Sequence, residues 1–325
     1  MPTKQGAIRL FRLFGITVYL HWTWFLAFLI LTDLQRELGQ QEYSSYLWNA
    51  LEILCLFLIV LIHEFGHQLA CRQVGGRTND IVLWPLGGVA YVMPPQRPGA
   101  QLWSIAAGPL VNVILIPLLS LLVSASSHLG WYDTHPDLYE LCHELWKINL
   151  VLLAFNLLPI YPLDGGQILR SLLWFPLGRI KSLMTASVIG LAGVAAIILS
   201  AIPELPELLR AAGPQRNAIL FNLVWLGLMA TFILRNCWGG FKQARVLAAR
   251  AKMPRREGFA CPSCHAAPLQ GDLWRCGQCG KSSDIFLQHG QCPQCGTQFN
   301  ATQCLECGLT SPIASWTPKL PVIDV

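Results

Sequence analysis

Long apolar runs separated by short polar stretches dominate the first 235 residues of the chain. A helix needs about 20 apolar residues to cross a hydrocarbon core, and such runs occur near 16–34, 47–70, 102–123, 146–163, 182–202 and 217–234. The pattern predicts a mainly α, polytopic membrane protein with about six transmembrane helices. The first run follows Lys4, Arg9 and Arg12 and lacks a small-residue cleavage site, so it reads as a retained span. From Cys261 the pattern changes to closely spaced cysteines, glycines and polar residues, which predicts a small separate β module. The expected boundaries are an N-terminal cytosolic segment (1–15), a membrane domain (16–235), a basic linker (236–258), the Cys-rich module (259–309) and a flexible tail (310–325).

Composition sharpens this picture. Of 325 residues, 53% are hydrophobic and 13% charged, whereas a typical soluble domain carries about 25% charged residues. Lys and Arg cluster in every second connection: at the N-terminus, at Arg72, Arg77 and Arg97, at Arg170, Arg179 and Lys181, and after the last span. Positive charge marks cytoplasmic loops. Both termini are therefore expected in the cytosol of a multi-pass protein of the cell membrane.

Candidate chemistry sits inside the second run, where Leu56 to Ala70 reads LFLIVLIHEFGHQLA. An ionisable group at the bilayer centre costs roughly 2.5–3.5 kcal/mol on insertion scales, so its presence there points to function. Positions i and i+4 share a helix face, which lets His63 and His67 aim at one ion. Glu64 lies one step around the helix, within reach of a water activated by that ion. A catalytic zinc usually takes three protein ligands. The best third candidate is Asp164, in FNLLPIYPLDGGQ at the end of the fourth run, with Pro159 and Pro162 before it and Gly165 and Gly166 after it. The expected topology places both sites toward the cytosolic side. His21, in the first run, is a further histidine considered near this site.

These pieces resemble the site-2 protease family of intramembrane zinc metalloproteases, in its compact six-span form. The matching segments are His63-Glu64-Phe65-Gly66-His67, Pro85-Leu86-Gly87-Gly88-Val89-Ala90, Ala107-Gly108-Pro109 with Asn112, and Pro162-Leu163-Asp164-Gly165-Gly166 preceded by Asn156 and Pro159. The resemblance implies one catalytic zinc on His63, His67 and Asp164, with Glu64 as general base. It implies a membrane-associated β-hairpin over 78–93, beside which an unwound substrate adds as a strand, and substrate-binding roles for Asn156, Asn112, Gly87 and Gly88. The implied activity is hydrolysis of transmembrane protein substrates near the cytosolic side. A noncatalytic membrane scaffold that keeps the fold is the alternative.

The C-terminal module carries four C-x₂-C pairs, Cys261/Cys264, Cys276/Cys279, Cys292/Cys295 and Cys304/Cys307. Cysteines in this spacing match Cys₄ structural zinc sites, and cytosolic thiols stay reduced. The module resembles a double zinc ribbon holding two structural zinc ions, with the pairs taken in sequential order; a cross-braced arrangement would use the same ligands. Residues 259–311 hold only Arg275 and Lys281 as cations against Asp272, Asp284 and Glu306. Phosphate binding needs a basic footprint, so a protein partner is expected at the ribbons and nucleic acid is not.

Overall fold

The computed structural model describes residues 6–26, 43–84, 87–287, 290–307 and 309–316. They fall into two compact units, 1–244 and 245–325.

The first unit opens with strands β1 (Ala7–Leu13) and β2 (Ile16–His21), followed by helix α1 (Tyr46–Gln73) and strands β3 (Arg77–Trp84) and β4 (Gly87–Met93). Then come α2 (Pro98–His128), a short α3 (Trp131–Thr134), α4 (Pro136–Asn156), α5 (Asp164–Ala201), a short α6 (Glu204–Arg210) and α7 (Gly213–Ala251). The four strands form one sheet in chain order, antiparallel except where β2 runs parallel to β3 through Thr17↔Asp80 to Leu20↔Leu83. The expected hairpin over 78–93 is therefore half of a larger sheet.

Residues 16–21 correct the expected first span: they form a strand, with Ile16 and Val18 fully buried. Alternation of buried and less buried positions suits a half-buried strand, and the β-branched run Ile16-Thr17-Val18 favours it. The remainder of that run from residue 27 lies outside the described residues.

Among the described residues, four stretches are long and apolar enough to span a membrane: α1, α2, α5 with α6, and α7. They keep large apolar side chains on their surfaces, among them Leu47, Leu121, Leu199 and Val224. Apolar surface of this extent is what lipid covers. The fourth run becomes α4, which starts earlier, with Pro136 at a first-turn position, and ends at Asn156. Pro159 and Pro162 lack the N–H a continuing helix needs and disfavour helical backbone before them. α5 is broken at Gly178, whose φ of 76° is left-handed. The last helix runs on to Ala251, because all but Val246 of the segment ARVLAARA in the basic linker are strong helix formers.

Packing against the sheet and against α2 tells the two halves of α1 apart. Its N-terminal half leaves Leu47, Leu51, Leu54 and Leu58 exposed; from Ile59 to Cys71 most side chains are buried. The buried half is anchored at its end: Gln68 Nε2 donates to the Asp80 carbonyl at 2.9 Å, and Arg72 donates to Thr78 Oγ1 at 2.6 Å and to the Phe14 carbonyl. At Gly66 α1 and α2 approach closely, since a Cβ there would stand 2.7 Å from the Ala107 carbonyl oxygen.

The second unit is built from four small hairpins, each carrying one cysteine pair. Two are strand pairs, Trp274–Arg275 with Ser282–Ser283 and Ala301–Gln303 with Thr310–Pro312; two are single bridges, Arg255↔Leu269 and Gln291↔Gln298. The module reaches beyond its expected limits on both sides. Arg256 donates its backbone N–H to Pro268 at 2.8 Å, and Ala260 donates to the carbonyl of Trp316 at 2.7 Å. Trp316 is 1% exposed, in a core with Trp274, Ile285 and Phe286. Residues 310–316 are thus part of the module; their apolar content fills the small core that the cysteines leave.

Candidate metal centre and active site

α1 brings His63 and His67 to one face, and the first residue of α5 brings Asp164 against them. His63 Nε2 lies 3.0 Å from Asp164 Oδ2, His67 Nε2 lies 3.3 Å from the same oxygen, and the two Nε2 atoms are 3.1 Å apart. Ligands about 2.0–2.1 Å from a tetrahedral zinc stand roughly 3.3 Å from one another. All three residues are largely enclosed, with His63 at 5% and His67 at 7% exposure.

Proton positions follow from what each ring's other nitrogen faces. His67 Nδ1 lies 3.0 Å from the main-chain oxygen of Ser104, and His63 Nδ1 lies 2.5 Å from Asn112 Oδ1. Oxygens of these kinds only accept, so each Nδ1 carries the proton and each Nε2 presents a lone pair. Two lone pairs and a carboxylate oxygen then meet in one spot. A proton on one nitrogen serves one partner and leaves another acceptor facing acceptors; a single cation serves all three, so the residues present fit a zinc ion.

Glu64 is 6% exposed and close enough to act electrostatically on His67. Space for the ligands comes from Gly108 on α2. Gly165 and Gly166 are helical residues whose bare faces admit the preceding loop. A Cβ at Gly165 would stand 2.3 Å from the Leu157 carbonyl oxygen, and one at Gly166 would stand 2.3 Å from the Tyr161 nitrogen.

The remaining expected site residues fall elsewhere. Asn112 is fully buried with its oxygen facing His63 and its amide nitrogen donating to Asn149 at 2.8 Å. Its side chain is spent behind the ligands, so the substrate-binding role expected for it does not fit. Asn156 closes α4, half-buried. Gly87 and Gly88 start β4, opposite Trp84 and Leu83 at the turn end of the hairpin. His21 stacks on Trp84 with ring centroids 4.6 Å apart and pairs with Thr23 Oγ1, outside the metal group. Sequence reasoning missed Asn149; its signal was a polar residue in an apolar stretch of α4.

The eight ribbon cysteines form two further groups, and their pairing corrects the expected order. Cys261 and Cys264 join Cys304 and Cys307, whereas Cys276 and Cys279 join Cys292 and Cys295. Sulfur separations are 3.7 Å for Cys261–Cys307, Cys264–Cys304 and Cys276–Cys295, and 3.6 Å for Cys279–Cys292. Four sulfurs about 2.3 Å from a tetrahedral zinc stand roughly 3.8 Å apart. The outer hairpins meet because Phe259, Trp316 and Leu305 share one core around Cys261 and Cys304.

Each turn aims amides at sulfur. Burial works to raise the Cys261 thiol, but the N–H groups of Cys264 and Ser263 outweigh it and bring it to about 7. Hydrogen bonds from the Thr297 hydroxyl and N–H bring Cys295 to about 6. Burial pushes Cys264 up to about 12. Without a cation, neighbouring thiolates cannot all ionise.

Residues 51–144 and 133–200 match the profile of peptidase family M50, in overlapping segments. A zinc metalloprotease of Methanocaldococcus jannaschii is 37% identical over 184 residues, 57% of this chain and 50% of its own length. The stage IV sporulation protein FB of Bacillus subtilis is 38% identical over 119 residues, 36% of this chain and 38% of its own. The solved site-2 protease from Methanocaldococcus jannaschii aligns over 72% of this chain and 95% of that one, at 27% identity and a TM-score of 0.48. The chain carries a membrane-protein domain that belongs to peptidase family M50. It spans about half the length of the curated relatives it matches.

Proposed function

We propose that this chain is an intramembrane zinc endopeptidase that cuts transmembrane protein substrates near the cytosolic side of the membrane. The observation that carries the reading is the meeting of His63 Nε2, His67 Nε2 and Asp164 Oδ2 within 3.0–3.3 Å beside the buried Glu64, on helices of membrane length. When bound, zinc supplies Lewis acidity that acidifies water and polarises a carbonyl.

The chain's own residues do the rest. Glu64 takes the proton of the attacking water and returns it to the leaving amine. Asp164, from the start of α5, and the two histidines, from α1, fix the ion between two helices. β4 stands at the edge of the sheet, and a free edge accepts an extended segment through main-chain hydrogen bonds, so a locally unwound substrate helix adds there. The alternating Lys and Arg of the connections support cytosolic termini. The eight cysteines would hold two further zinc ions; Arg255 and Arg256, which the module adds to Arg275 and Lys281, are paired with Glu306 and Asp284, so the ribbons offer little free basic surface for nucleic acid and serve protein docking.

The test is Glu64→Gln in the full chain, assayed on a membrane-embedded substrate carrying helix-breaking residues. The variant is expected to keep its zinc and lose cleavage by about 10²–10⁴-fold, the size of a general-base contribution. Cleavage at the wild-type rate by the zinc-loaded variant would end the assignment. A zinc-loaded wild type that cuts no membrane substrate would favour the scaffold.

A further inference from the structure

Asn149 of α4 lies two residues removed from the metal position, yet its hydrogen bonds determine what His63 presents there. Asn112 and Asn149 are both 0% exposed, in a region where an unpaired amide is costly. The main-chain carbonyl of Asn112 only accepts, so the group facing it at 3.0 Å is Asn149 Nδ2, which donates. That sets the orientation of the Asn149 amide and leaves its Oδ1 to accept from Asn112 Nδ2 at 2.8 Å. Asn112 is oriented in turn, and its Oδ1 accepts from His63 Nδ1. Turning both amides over would set Asn149 Oδ1 against the Asn112 carbonyl, acceptor on acceptor. One backbone oxygen thus dictates a one-way chain that ends on an imidazole.

The consequence is a choice of tautomer. With Asn112 held this way, the His63 proton stays on Nδ1 and Nε2 is free for an ion. Without Asn149, nothing prevents the Asn112 amide from turning its NH₂ toward Nδ1. The proton of His63 would then sit on Nε2, donate to Asp164 3.0 Å away and block the metal position. We infer that Asn149 is a positioning residue which, through Asn112, holds His63 in the metal-binding tautomer. This rests on the zinc reading of the His63, His67 and Asp164 group given above.

A polar residue between helices can also act as simple glue, and the experiment must tell the two apart. Full-length protein in detergent is titrated with a zinc chelator. The membrane site is identified as the one zinc equivalent that His67→Ala lacks. Asn149→Leu is expected to lose that equivalent at 10–100-fold lower chelator strength, the usual size of such an outer contact, while the ribbon zincs are unchanged. Adding Asn112→Asp to Asn149→Leu is expected to restore affinity, because a carboxylate accepts from Nδ1 whichever way it turns; mere glue would not be rescued.

If Asn149→Leu does not fold, Asn149→Ala takes its place in both measurements. Wild-type zinc affinity in the folded single variant, or no recovery in the double variant, overturns the inference and leaves the metal site standing. If His67→Ala holds as much zinc as wild type, the metal reading falls and the inference falls with it.

Discussion

Gly108 abuts His67 so closely that a methyl group on it would stand 2.2 Å from the Nε2 atom facing Asp164, and 2.7 Å from that of His63. The absence of a side chain on α2 is what leaves room for the ligand nitrogens.

Gly108→Ala should therefore act on the metal site first. Added volume in a packed site costs about 1–3 kcal/mol, and a shift of about 1 Å in a reacting group can cost on the order of 100-fold in rate. The expected outcome is loss of one zinc equivalent and of at least that much cleavage, with the ribbon zincs kept. Metal content and a membrane-substrate assay read both.

Nested pairing of the cysteines predicts which double variants lose one zinc and which lose two. Cys261→Ser with Cys307→Ser removes two ligands from a single group and should release one ribbon zinc. Cys261→Ser with Cys279→Ser damages both groups and should release two. Sequential pairing predicts the opposite result in each case, so metal content per chain decides between them.

Asp284 is the polar centre of the module. At 4% exposure, it accepts from Arg256 Nη2 at 2.6 Å and from the N–H of Gly271 at 2.9 Å and of Phe286 at 3.1 Å. Removing one partner of a buried pair strands the other, at about 3–5 kcal/mol. Asp284→Ala should release both ribbon zincs at lower urea than wild type; Asp284→Asn, which keeps an acceptor, should fall between. The membrane zinc should not respond to either change.

The meeting of His63, His67 and Asp164 in one group was legible in the sequence because ionisable groups are costly in apolar runs, and two of them shared a helix face. The pairing of the cysteines was not, since all four C-x₂-C pairs have the same spacing and only the core around Trp316 decides which meet. β2 was hidden because ITVYLH leads straight into WTWFLAFLIL, where a buried strand and a span read alike. Asn149 was visible only as a polar residue in an apolar stretch; its partner lies 37 residues away on another helix, and no local pattern names that partner.

The nested pairing also orders events during synthesis. Cys292 and Cys295 leave the ribosome before Cys304 and Cys307, so the inner ligand set, whose sulfur partners lie 13 and 19 residues apart, is complete first. The outer set, with partners 40 and 46 residues apart, closes around an inner half that can already be folded. A nascent chain halted between Cys295 and Cys304 would hold one complete zinc site and one half of another.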